Sequence, residues 1–138
     1  MKHIILKKRF LIPLCAVTLA LIALIIVYFS VILPQKKAHE RNMEILRQHY
    51  NTKVAQFMQE NAEYDDYEAD VAFIGDSLTE GYDLAVFYPQ YVTVNRGIGG
   101  DTTFGLQDRL QVSLYDLKPK VVVMLIGANN IDSMLQNY

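Results

Sequence analysis

Three short loops of the sequence carry the residue types that acyl transfer requires. Each loop follows an apolar run: GDSLT (75–79) follows VAFI, NRGIGGDTT (95–103) follows YVTVN, and GANN (127–130) follows VVVMLI. A serine nucleophile must be exposed at the end of a strand, and the oxyanion that forms on its attack needs fixed donors about 3 Å away. Ser77, the backbone N–H of Gly100 and the side-chain amide of Asn129 are candidates for these roles, because glycine allows close backbone approach and asparagine supplies an amide donor.

Each loop also has a plainer interpretation. A serine directly after a strand can simply be the N-cap of the next helix, and GANN can begin a helix with Asn129 as its cap. The glycine-rich second loop can be a turn that binds phosphate, as in a flavodoxin-like domain. The three loops together, each at the end of its own apolar run, favour a catalytic edge over these separate interpretations.

The runs VAFI, YVTVN and VVVMLI predict three strands that would bring these loops together. The third run (121–126) is apolar on both faces, which is typical of a strand covered by helices on each side of a parallel sheet. Alternation of strands and helices predicts a doubly wound, flavodoxin-like α/β sheet with the strand order two-one-three. Loops at the carboxyl ends of such strands meet at one edge, where ligands bind.

The helix between the second and third strands is indicated by four leucines at helical spacing and by two N-cap candidates. The leucines are Leu106, Leu110, Leu114 and Leu117, and the candidate caps are Asp101 and Thr102.

The blocks FIGDSLTEGYD, NRGIGGDTT and VVVMLIGANN resemble the first three blocks of the GDSL, or SGNH, family of serine esterases and lipases. The second block is especially similar to the subgroup of platelet-activating-factor acetylhydrolase catalytic subunits. The resemblance implies Ser77 as the nucleophile, with Gly75 and Asp76 as its supporting motif. It also implies an oxyanion hole formed by the N–H groups of Ser77 and Gly100 and the side chain of Asn129. No metal or organic cofactor is implied.

Two positions differ from patterns of related enzymes. Asn130 stands where many family members carry Asp, a position that is not catalytic. The Gly-x-Ser-x-Gly pattern of ordinary α/β-hydrolases is not met, because position 79 is Thr.

The family takes its base from a late Asp-x-x-His block, and this sequence has no histidine after His49. A serine hydroxyl needs such a base, usually a histidine held by a carboxylate. His3 flanks the apolar N-terminal run, and we expect the helix that carries His39 and His49 to pack on the outside of the domain. The sequence therefore predicts the N-terminal part of an SGNH hydrolase that is inactive as a 138-residue chain. A catalytically inactive, membrane-tethered binding protein remains the alternative.

A membrane anchor is predicted at residues 11–33, after a basic segment at residues 1–10. These 23 residues contain no charge, and about 20 apolar residues suffice for a helix to cross a bilayer. The closing SVILPQKK offers no small-residue cleavage site, which favours an uncleaved anchor over a signal peptide. Four cations precede the run and three follow it, which predicts an N-terminus inside and an extracytoplasmic domain. These are Lys2, Lys7, Lys8 and Arg9, then Lys36, Lys37 and Arg41.

Residues 34–69 predict an amphipathic connecting helix followed by an acidic linker, ENAEYDDYEAD. The linker has no His or Cys at metal-ligand spacing, so we expect a solvated turn there. Residues 70–138 form the predicted hydrolase part. The apolar stripe of the helix is Met43, Leu46, Tyr50, Val54 and Phe57.

The charge balance of the part after the anchor bears on its partners. All 15 acidic residues lie there, against 9 of the 13 Lys and Arg, which gives about −6 and argues against nucleic acid. We expect instead a small-molecule, lipid or glycan ester as substrate, and the bilayer as partner of residues 11–33.

Overall fold

The computed structural model describes the backbone of residues 2–135 and the side chains of residues 13–131. The side chains of the predicted basic segment 1–10, including His3, lie outside the described residues, as do residues 136–138. The chain divides into two compact units, residues 1–43 and residues 44–138, and each is described by itself.

The N-terminal unit is helical. Helix α1 (Lys2–Val27) continues through a π-helical turn (Tyr28–Ile32) into helix α2 (Leu33–Asn61). The large apolar side chains between Leu14 and Ile32 are 46 to 67% exposed. Within the described residues one helix is long and apolar enough to cross a membrane, a property that a signal sequence near an N-terminus shares.

Three parallel strands form the sheet of the second unit. They are β1 (Val71–Gly75), β2 (Thr93–Gly97) and β3 (Val121–Leu125), in the order β2-β1-β3. This confirms the predicted parallel sheet and its strand order. The second strand begins two residues later than the run YVTVN predicted. The Val92 carbonyl, just before the strand, accepts hydrogen bonds from the N–H groups of Asp70 and Val71.

The strands end at one level. Gly75 of β1 lies opposite Gly97 of β2 on one side and opposite Leu125 of β3 on the other. The three loops that carry the candidate residues therefore leave the sheet side by side at its carboxyl edge, as the sequence predicted.

Short helices follow each strand. Helices α3 (Ser77–Glu80) and α4 (Leu84–Phe87) follow β1, and helix α6 (Ala128–Leu135) follows β3. The leucine-rich helix predicted after β2 is a short helix α5 (Thr103–Asp108) and then a π-helical turn (Gln111–Tyr115).

The core lies on the side of the sheet that faces α5 and the C-terminal part of α2. Phe57 of α2 is buried with Ile98 and Val112, and Tyr50 and Val54 pack against them, as the predicted stripe requires. A second cluster joins the strands to the predicted leucines. Its buried members are Ala69, Ala72, Ile74, Val94, Leu106 and Leu117, with Leu110 and Leu114 packed against them.

Strand β3 is not covered on both faces, contrary to the expectation from its apolar sequence. Its five side chains are 37 to 57% exposed. Within the described residues its only neighbouring strand is β1. The apolar character of β3 therefore indicated a strand of the parallel sheet correctly, but within the described residues the strand forms an exposed edge.

Candidate active site

Asp76, and not Ser77, caps the helix that begins after β1. The Asp76 side chain is buried and accepts a hydrogen bond from the Leu78 N–H at 3.1 Å. Ser77 is the first residue of α3 and is exposed. The interpretation of Ser77 as a mere N-cap is therefore wrong, and its hydroxyl is not used to cap α3.

Helix α3 packs directly against the end of β2. A Cβ on Gly97 would stand 2.1 Å from the backbone N of Glu80, so only glycine fits there. The Asn95 side chain joins the same elements, because its Nδ2 donates to the Thr79 carbonyl at 2.7 Å and its Oδ1 accepts from the Gly97 N–H at 2.8 Å. The helix of Ser77 and the loop after β2 are thus built as one packed unit.

Gly100 occupies a turn that requires glycine. Its φ is +78°, a backbone conformation that residues with a Cβ rarely adopt. A Cβ at this position would also stand 3.1 Å from Leu46 Cδ2 of helix α2. Gly100 itself is exposed, so the turn is backed by α2 and open to solvent.

Asn129 connects the third loop to the second. It is the second residue of α6, and its Nδ2 donates to the Asp101 carbonyl at 2.7 Å. The Asn130 Oδ1 accepts a hydrogen bond from the Thr103 N–H at 3.0 Å, which joins the same two loops. An amide NH₂ carries two hydrogens, so the bond to Asp101 leaves Asn129 one donor for a ligand.

A buried ion pair that the sequence did not predict organises the second loop. Arg109 Nε lies 2.8 Å from Asp101 Oδ2, and both side chains are at most 2% exposed. The same guanidinium donates to the carbonyls of Arg96 at 2.8 Å and Gly75 at 3.0 Å, and to Ser113 Oγ at 2.8 Å. One side chain therefore joins the ends of β1 and β2 to the loop between β2 and α5.

The cap of α5 is Thr102 and not Asp101. Thr102 Oγ1 accepts a hydrogen bond from the Gly105 N–H at 3.2 Å. The sequence named both residues as candidates, and the pairing of Asp101 with Arg109 explains the choice. In the sequence, the only indication of this ion pair was an arginine eight residues after an aspartate, on a predicted helix.

Helix α2 was expected to pack on the outside of the domain, and Phe57 is its buried residue. It nevertheless brings two side chains to helix α3. His49 Nε2 lies 3.0 Å from Glu80 Oε2, and Lys53 Nζ lies 3.0 Å from Glu80 Oε1. A Cβ on Gly99 would stand 3.9 Å from both His49 Nε2 and Ser77 Cβ. His49 therefore lies near Ser77, although no hydrogen bond joins the two in the part of the chain that the structure describes.

The pKa of the Glu80 carboxyl lies below its ordinary value. Partial burial, the largest single effect, raises this pKa. Hydrogen bonds from His49, Lys53 and the Gly99 N–H, together with the charge of Lys53, outweigh the burial. Glu80 is therefore ionised at neutral pH and accepts from all three donors.

Residues 73–137 match the model of the GDSL-like Lipase/Acylhydrolase family. Among curated proteins, platelet-activating factor acetylhydrolase IB subunit alpha2 of Homo sapiens and of Rattus norvegicus is 44% identical, over 47% of this chain and 31% of the relative. The Gallus gallus protein is 42% identical over the same shares. The chain thus spans about a third of the length of the curated relatives it matches.

Two solved structures are similar to this fold. A protein from Streptococcus pneumonia, solved as a candidate platelet activating factor, has a TM-score of 0.65 and 29% identity, over 72% of this chain and 47% of that chain. A GDSL-like lipase from Bacteroides thetaiotaomicron has a TM-score of 0.51 and 27% identity, over 57% and 41%. Since residues 70–138 are half of this chain, the first alignment extends into residues that precede Asp70.

Proposed function

We propose that this chain, whose residues 73–137 match the model of the GDSL-like lipase/acylhydrolase family, provides the nucleophile and the oxyanion hole of a serine ester hydrolase. The observation that carries the proposal is the position of Ser77. It is exposed at the start of α3, and its hydroxyl is not used as a cap because Asp76 caps this helix. It also lies at the carboxyl edge of the sheet, where the loops of Gly100 and Asn129 meet.

In the proposed reaction the Ser77 oxygen attacks the carbonyl carbon of an acyl or acetyl ester. The oxyanion of the tetrahedral intermediate accepts hydrogen bonds from the N–H groups of Ser77 and Gly100 and from the free amide hydrogen of Asn129. Collapse of the intermediate expels the alcohol and leaves an acyl-enzyme, which water then hydrolyses by the same route.

The proton of the Ser77 hydroxyl must pass to a base. In the family that base is the histidine of an Asp-x-x-His block, which the 138 residues do not contain. His49 is the histidine of the unit that holds the site, and its Nε2 is engaged by Glu80. The 138-residue chain alone is therefore expected to bind an ester without turning it over at an appreciable rate.

The proposed substrate is an ester at or near a membrane surface. The curated relatives are named as acetylhydrolases of platelet-activating factor, which supports an acetyl or short acyl ester over a long-chain one. Anchoring through residues 11–33, with the N-terminus inside and the hydrolase part extracytoplasmic, would present the site to lipid or glycan esters outside the cytoplasm.

The test uses the protein expressed from its complete gene in detergent, with an aryl acetate substrate and a fluorophosphonate probe. Ser77→Ala should abolish both turnover and labelling, whereas Asn129→Ala should keep labelling and lower the rate by about 10²–10³, the usual loss for one oxyanion donor. Thr52→Ala, which removes an exposed hydroxyl of α2, is the matched control. Undiminished turnover by Ser77→Ala would rule out the assignment, and a wild-type protein that neither labels nor turns over would favour a binding protein.

A further inference from the structure

We propose that helix α2 supplies positioning residues for this site: His49 and Lys53 hold the Glu80 carboxylate, and Glu80 holds the turn that carries Gly100. The proposal rests on the proposed function, because it concerns an oxyanion donor of that reaction. The predicted nucleophile and oxyanion hole consist of Ser77, Gly100 and Asn129, so none of these three side chains is part of them.

The Glu80 carboxylate joins three separate elements. Glu80 ends helix α3, three residues after Ser77, and its Oε2 accepts from the Gly99 N–H at 2.6 Å. His49 Nε2 lies 3.0 Å from the same oxygen, and Lys53 Nζ lies 3.0 Å from Oε1. One side chain thus connects the nucleophile's helix, the loop after β2 and helix α2.

The connection fixes the orientation of the neighbouring peptide. The N–H of Gly100 belongs to the peptide that joins Gly99 to Gly100. The bond from the Gly99 N–H to Glu80 holds the peptide directly before it and so limits the positions that the Gly100 N–H can take from that side. On the other side, Asn129 donates to the carbonyl of Asp101 at 2.7 Å. The oxyanion donor at Gly100 is therefore held between two side chains that the fold brings from different loops.

Lys53 and His49 on α2 keep the carboxylate in this place. Side chains of Lys53 and Glu80 are 26% and 23% exposed, and that of His49 is 39% exposed. Hydrogen bonds between charged groups are shorter and stronger than neutral ones, and partial burial reduces their screening by water. Without partners on α2, the Glu80 carboxylate would gain a solvated orientation and release the Gly99 N–H.

This arrangement predicts an effect on kcat rather than on KM. An oxyanion donor acts on charge that develops in the transition state, so its displacement slows the chemical step and leaves ground-state binding unchanged. His49 acts through Glu80 in this arrangement and is not the base, since its Nε2 faces the Glu80 carboxylate.

The test measures kcat and KM with an aryl acetate on the detergent-solubilised protein from its complete gene. Glu80→Ala should lower kcat by about 10- to 100-fold, the effect of a small displacement of a catalytic group, with KM nearly unchanged. Glu80→Gln keeps an acceptor oxygen for the Gly99 N–H and should recover part of the loss. His39→Ala, which removes an exposed histidine of the same helix, should behave as wild type.

A double variant tests whether His49 acts on the turn through Glu80 or independently of it. If His49 acts through Glu80, His49→Ala with Glu80→Ala should be no slower than Glu80→Ala alone. Amide hydrogen exchange at Gly99 should be faster in both Glu80→Ala and His49→Ala. Should Glu80→Ala fail to fold, as judged by its melting temperature, Glu80→Gln and His49→Ala carry the same comparison.

Two results would overturn the proposal. One is an unchanged kcat in Glu80→Ala, and the other is a loss in His49→Ala far larger than that in Glu80→Ala, which would make His49 the base. A wild-type protein without Ser77-dependent turnover would instead refute the proposed function. In that case faster exchange at Gly99 would still report whether His49 and Glu80 position the turn.

Discussion

Arg109 Nη2 donates to the carbonyl of Gly75 at 3.0 Å, so a side chain from the end of α5 holds the residue that leads into the Asp76–Ser77 turn. The same guanidinium is paired with Asp101 at 2.8 Å, beside the proposed oxyanion donor Gly100. The two loops are therefore tied to each other by one buried charge pair and not only by the sheet.

Loss of this charge should destabilise the fold strongly. Arg109→Met leaves the Asp101 carboxylate buried without its partner, for which a loss of about 3–5 kcal/mol in the free energy of unfolding is expected. Arg47→Met removes a cation from an exposed pair with Glu44 and should change it by less than about 1 kcal/mol. Urea unfolding of the two variants gives the comparison, and equal effects would contradict the importance of the buried pair.

A methyl group on Gly97 should disrupt the site more than one on Gly81. In Gly97→Ala the new Cβ would meet the backbone of Glu80 at 2.1 Å, whereas in Gly81→Ala the nearest atom would be the Ser77 carbonyl at 3.4 Å. We expect Gly97→Ala to cost about 1–3 kcal/mol, as overpacking does, and Gly81→Ala to be close to neutral. Thermal unfolding followed by circular dichroism measures both, and similar melting temperatures would show that α3 can move away from β2.

The contribution of Glu80 to stability should depend on pH. Its folded-state pKa lies below the ordinary value of 4.5, so the ionised carboxylate stabilises the fold above that value and loses the effect as the pH falls through the folded-state pKa. The destabilisation caused by Glu80→Gln should therefore be complete at neutral pH and shrink progressively below pH 4.5. Chemical unfolding of both proteins across this range checks the sign, and a difference that grows on acidification would contradict it.

The apolar helix should keep the protein in the membrane. No small-residue cleavage site follows residues 11–33, and the side chains described there are exposed. After carbonate extraction the protein should remain in the membrane fraction, while a peripheral marker protein is released. A shorter soluble form that starts near Gln35 would show that the segment is a signal peptide.

Residues 34–138, produced without the anchor, should aggregate or remain partly unfolded and show no esterase activity. Strand β3 exposes five apolar side chains at a sheet edge, and such an edge pairs readily with other chains. Val123→Lys should reduce the aggregation, because a charge on an edge strand opposes this pairing. Size-exclusion chromatography, circular dichroism and an aryl-ester assay test this prediction. A monomer that melts cooperatively and has Ser77-dependent activity would contradict it.

The sequence predicted what depends on local pattern. Runs of apolar residues located β1 and β3 to within a residue, and the polar and glycine residues after each run located the loops at the carboxyl edge. The strand order followed from the general rules of doubly wound sheets, and the structure agrees with it.

The contacts that the sequence did not predict join residues far apart along the chain. The stripe of α2 showed that Phe57 faces a core, but it gave no sign that His49 meets Glu80, 31 residues later. Asp101 was interpreted only as a candidate helix cap and Arg109 was given no role, because their eight-residue spacing is a weak indication of an ion pair. The exposure of β3 likewise depends on which elements cover it and not on its own residues.

The lack of space at Gly75 and Gly97 limits how this site can be altered by directed evolution. A Cβ at either position would collide with main-chain atoms, those of Leu125 or of Glu80, and no second mutation can trim a main chain. At Gly100 the nearest obstacle is the side chain of Leu46, but the φ of +78° still requires glycine there. A library that seeks new ester preferences should therefore diversify the Leu46 side chain and leave Gly75, Gly97 and Gly100 unchanged.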